Sequence, residues 1–74
     1  MKLKKAVKKA RKLGYKWVAV NDLGDIFLFN YKPVKTLSRT QWLIDISECD
    51  NPTNMYIGRY TGSKNWTKTL REVI

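Results

Sequence analysis

Seven basic side chains crowd into eleven consecutive positions: Lys2, Lys4, Lys5, Lys8, Lys9, Arg11 and Lys12, with no acid among them. Ammonium and guanidinium groups at this density do one kind of chemistry, attracting and hydrogen-bonding anionic oxygens of phosphates or carboxylates. The rest of the 74-residue chain holds eight basic and six acidic side chains, so the formal charge of +9 is concentrated at one end. An anionic partner is expected.

Residues able to do catalysis are scarce by comparison. Histidine, the commonest general base near neutral pH, does not occur. Cys49 is the one nucleophile candidate, and Glu48 and Asp50 on either side oppose formation of its thiolate. The carboxylates Asp22, Asp25, Asp45, Glu48, Asp50 and Glu72 fall mostly in turn-like sequence and show neither a catalytic pair nor a divalent-ion loop. Gly24, Gly58 and Gly62 make no phosphate-cradling motif. The expectation is a non-enzyme with no cofactor and no metal. A single cysteine also fits a reducing compartment, and no apolar run is long enough to insert in a membrane.

What must position the cations is a helix. At 100° per residue, Leu3, Ala6, Val7, Ala10 and Leu13 form a stripe about 120° wide, and the seven basic residues occupy the opposite side. Gly14 supplies a left-handed stop. The stripe is narrow and rich in alanine, so the helix can approach a sheet closely.

Next, Tyr15 to Val20 and Ile26 to Lys32 are two β-rich runs around a Gly24-containing turn, which predicts a hairpin ended by Pro33. Residues 34–40 show no period and read as a basic loop with Lys35 and Arg39. Trp42 to Ser47 alternates as a half-buried strand, and Met55 to Tyr60 is its return strand after the turn at Asn51-Pro52. Trp66, Leu70, Val73 and Ile74 stand at helical spacing behind Ser63, which can cap a helix, predicting a C-terminal helix. The sum is one small α+β domain over residues 1–74: a four-stranded antiparallel meander, with an N-terminal Lys-rich helix and a C-terminal helix.

The hairpin KWVAVNDLGDIFLFNYKP and the closing segment YIGRYTGSKNWTKTLREV carry a Trp-led strand, a Gly turn, a strand ending in Lys-Pro, a Tyr-x-Gly-x-Tyr-x-Gly strand and a Trp-x-x-x-Leu helix. In these features the chain resembles small accessory proteins of tailed bacteriophages. The resemblance implies a place in the cytoplasm of an infected bacterium and a role in redirecting a host process. It brings no catalytic residues with it.

Two partners fit the basic helix. Like charges at i and i+4 in Lys4/Lys8, Lys5/Lys9 and Lys8/Lys12 each cost roughly 0.2–0.5 kcal/mol, and Lys2, Lys4 and Lys5 sit where the helix dipole prefers acids. An anion along that face relieves these penalties. Nucleic acid fits first, because a helix about 19 Å long follows several phosphates. Of the base-reading side chains only Arg11 lies on it, so contact is expected to be largely non-specific. An acidic surface of a host protein is the alternative, with the chain acting as an inhibitor or modulator. Lys32, Lys35, Arg39 and Arg59 would extend either footprint if their segments fold to the same side. Tyr15 with Trp17, and Tyr56 with Tyr60, share strand parity and would make a stacking platform for bases if their face is open. Phe27, Phe29, Trp42 and Trp66 read as core.

Overall fold

A computed structural model describes residues 1–35, 42–44, 50–63 and 65–73. The cationic segment is a helix, α1 (Leu3–Leu13), ended by Gly14 at φ 85°, whose N–H reaches back to the last helical turn. Next come β1 (Trp17–Val20) and β2 (Asp25–Phe29), paired antiparallel with Val18 opposite Leu28 and Val20 opposite Ile26. Their turn is organised by Asn21, whose Oδ1 accepts from the Leu23 and Asp25 amides at 3.1 and 2.9 Å. The expected N-terminal helix and hairpin both form.

Side chains alternate along β1 and β2, so Val18, Val20, Ile26 and Leu28 point to one face. All four are buried, together with Leu3, Ala6 and Ala10 of α1. Alanine at the two central contacts lets the helix backbone lie close to the sheet. Each large aliphatic side chain here contributes about 1.5–3 kcal/mol, which makes this layer the main source of stability.

The remaining connections differ from the expected meander. The sheet is four-stranded and antiparallel, but its order is β5-β2-β1-β6, with β5 at Asn54–Arg59 and β6 at Arg71–Glu72. The Trp42 strand is not in it. Val34–Lys35, read from the sequence as loop, forms β3 and pairs with β4 (Trp42–Leu43) in a separate two-stranded ladder. The Trp42 indole donates to the Val20 carbonyl at 3.0 Å, which ties this ladder to the main sheet. The rest of the expected Trp42 strand, residues 45–47, lies outside the described residues.

The C-terminal helix is also corrected. Trp66–Lys68 makes one 3-10 turn, capped by Asn65 Oδ1 on the Thr67 amide at 3.0 Å, and the chain then extends as β6. A helix of under ten residues has little stability of its own, and the Thr67 and Thr69 hydroxyls bond locally, to Asn65 Oδ1 and to the Trp66 carbonyl. Pairing with β1, by contrast, satisfies an edge that would otherwise be open. The helical spacing of Trp66, Leu70 and Val73 was therefore coincidental with a turn followed by a strand.

One further departure concerns the aromatic residues. The β2–β5 register shifts between Ile26/Gly58 and Phe27/Tyr56, leaving Ile57 as an extra residue in a β-bulge. Tyr56 consequently contacts Phe27 at 5.7 Å, on the face away from α1, while Tyr60 packs against the helix-side core. Tyr15 also packs on that core, whereas Trp17, next to core-facing Val18, is on the opposite face. Neither pair forms a shared stacking platform. Phe29 is buried, and Phe27, Trp42 and Trp66 are half-buried, the two indoles meeting edge-on at 6.3 Å.

Candidate anion-binding surface

The burial of Leu3, Ala6 and Ala10 fixes the roll of α1 about its axis, and everything else on the helix follows from it. Lys2, Lys4, Lys5, Lys8, Lys9, Arg11 and Lys12 are all exposed. Among the described residues, no carboxylate forms an ion pair with the lysines of this helix. The first turn contains no acid and Lys2 at the N-cap makes no side-chain cap bond, so the positive end of the helix dipole adds to the lysine charge. All seven residues marked by the sequence are thus brought together on one surface.

Its lysines do not all have the same surroundings. Lys5, Lys9 and Lys12 lie outside the groove that borders the helix on its β6 side. Lys4, Lys8 and Arg11 instead border a groove of about 340 Å³ between α1 and β6, with Leu3 and Val7 also in its lining. Arg71 forms the far wall. Standing opposite Val18 in the β1–β6 ladder, Arg71 rises on the helix side of the sheet. Its Nη1 donates to the Lys68 and Leu70 carbonyls, both at 2.9 Å.

Arg71 is a basic-surface residue that helical spacing concealed. Read on a C-terminal helix it belongs to the polar side. Read as a strand, the alternation of Arg71, Glu72 and Val73 places it with Val73, which packs on the α1 core.

The four residues expected to extend the footprint are dispersed. Lys32 lies 5.6 Å from the centre of the Trp17 ring, on the face away from α1. Lys35 is exposed in β3, and Arg39 lies outside the described residues. Arg59 spans the hairpin turn: its Nη2 donates to the Leu23 carbonyl at 2.7 Å and its Nη1 sits 3.4 Å from Asp25 Oδ1. Its own carbonyl accepts from the Met1 amino group at 2.8 Å.

A second concavity, about 60 Å³, lies between β4 and the sheet face remote from α1, lined by Ala19, Asn21, Phe27, Phe29, Trp42, Leu43 and Asn54. Among the described residues, no nucleophile or charged group lines it. Among the described residues, no three of His, Cys, Asp and Glu gather as a metal site, and no helix is long and apolar enough to cross a membrane. Cys49 lies outside the described residues. No family model, curated protein or solved structure matches this chain.

Proposed function

We propose that the protein binds nucleic acid, largely without regard to sequence, through the outer face of α1. The observation that carries this reading is the packing of the helix: Leu3, Ala6 and Ala10 of its apolar stripe are buried against the sheet, and the side left to solvent bears seven cations and no acid. Eleven helical residues span about 16 Å, and lysines along that length match the anionic density of a phosphate backbone. Lysine binds phosphate as a point charge and reads no bases, so affinity is set by ionic contacts. The hairpin and the closing segment support a setting as a small phage-type accessory protein, acting in the host bacterial cytoplasm.

A second reading has its own support. Leu13 is 48% exposed at the end of the cationic helix, and an apolar anchor beside charges is what an acidic protein surface would use. In this case the chain modulates a host protein by docking α1 on it.

Titration with labelled DNA and RNA over a range of salt separates the two. Each phosphate contact should contribute about 0.9 to the slope of log affinity against log salt for duplex, or about 0.7 for a single strand. Replacing Lys5, Lys8 and Lys12 with Glu should abolish binding while leaving the fold intact. Weak, salt-insensitive binding to every nucleic acid would overturn the first reading.

A further inference from the structure

The geometry points to a single nucleic-acid strand as the occupant of the groove between α1 and β6, with Arg71 as a binding residue that the helix does not itself supply. This rests on the nucleic-acid reading and deepens it.

Lys4, Lys8 and Arg11 follow one another at i, i+4 and i+7, a rise of about 10 Å along one wall. Arg71 faces them across Leu3 and Val7, and among the described residues no acidic side chain is in the lining. Charge at the walls and apolar surface between them is the complement of a single strand, whose phosphates alternate with sugars and the flat faces of bases. The volume, about 340 Å³, is that of a small-ligand cleft. A duplex keeps its bases stacked inside and its backbone on a stiff convex surface. It would therefore meet the exposed lysines outside the groove, Lys5, Lys9 and Lys12, and leave the groove unfilled.

Arg71 suits the role because it is held in place. Two bonds from Nη1 to main-chain carbonyls orient the guanidinium, so little side-chain entropy remains to be lost on binding. The hydrogens on Nε and Nη2 are left for phosphate oxygens, the planar fork matching two of them at once.

The test uses the full chain with two probes, a labelled oligothymidylate of about 12 nucleotides and a mixed-sequence duplex of equal length. The wild-type protein should prefer the single strand. Arg71→Gln should weaken single-strand binding about five- to tenfold and leave duplex binding unchanged. Because Arg71 also steadies the preceding turn, Lys4→Gln/Lys8→Gln serves as an independent variant on exposed positions and should lose single-strand affinity to at least the same extent. Replacing Lys5, Lys9 and Lys12 with Gln should weaken duplex binding more than single-strand binding. If the duplex is preferred, or if both groove variants bind oligothymidylate as the wild type does, the groove assignment falls while the nucleic-acid reading stands. Failure of the wild type to bind either probe overturns both.

Discussion

Thr69 Oγ1 accepts the Val20 amide hydrogen at 2.9 Å, taking over the edge of β1 where its pairing with β6 stops. The hydroxyl in turn donates to the Trp66 carbonyl at 2.7 Å. The neighbouring Val20 carbonyl accepts from the Trp42 indole. Two side chains from distant parts of the chain thus finish a ladder that has too few strand residues to finish itself.

Thr69 is fully buried, so Thr69→Val keeps the shape and strands the Val20 N–H without a partner. The expected cost is about 1–3 kcal/mol, read from the midpoint of urea unfolding. Thr69→Ser keeps the acceptor and should lose less. Equal midpoints for wild type and Thr69→Val would show that β1 does not depend on this bond.

Why this end of the chain was illegible in sequence is clear from the same residues. Trp66, Leu70 and Val73 satisfy a helical period, and nothing local reveals that β1 has an edge to fill; that need is set by strands some fifty residues away. The bulge at Ile57 is equally silent, since Tyr56 and Tyr60 have matching parity until an extra residue separates them. By contrast α1 and the β1–β2 hairpin are legible because their signals are local: an apolar stripe with a glycine stop, and β-rich runs around a Gly24-containing turn. The candidate surface divides in the same way. Seven cations on one helix are read directly from spacing, while Arg71 enters only through the strand that was read as helix.

The close approach of α1 to the sheet makes a second prediction. Ala6 and Ala10 have no exposed surface, so Ala10→Leu must push the helix outward or force strained rotamers. A loss of about 1–3 kcal/mol is expected, together with displaced resonances for Val18 and Val20 in the NMR spectrum. A variant as stable as the wild type would mean that space exists at this contact.

Arg59 distinguishes a structural cation from a binding one. Its guanidinium is occupied by the Leu23 carbonyl and Asp25, yet its side chain is 68% exposed, so the ion pair itself is heavily screened. Arg59→Gln should cost up to about 1 kcal/mol and leave the salt slope for nucleic acid within error of the wild type. A slope reduced by about one contact would place Arg59 in the footprint.

The sharpest prediction comes from Lys5. This residue lies in the first turn of α1, where the dipole favours acids, and one turn before Lys9, a like charge. Lys5→Glu reverses both terms: it puts a negative charge at the positive end of the helix and turns a repulsive i, i+4 pair into an attractive one. If the lysines only solvate the helix, the substitution has no functional cost and the protein simply gains stability. If the face binds phosphate, stability and affinity move in opposite directions. We expect thermal unfolding to report a gain of roughly 0.5–1 kcal/mol, while nucleic-acid affinity falls and the salt slope drops by more than one contact. A gain in stability with unchanged affinity would remove Lys5 from the binding surface; a loss of stability would show that the charge pattern is not a penalty carried for function.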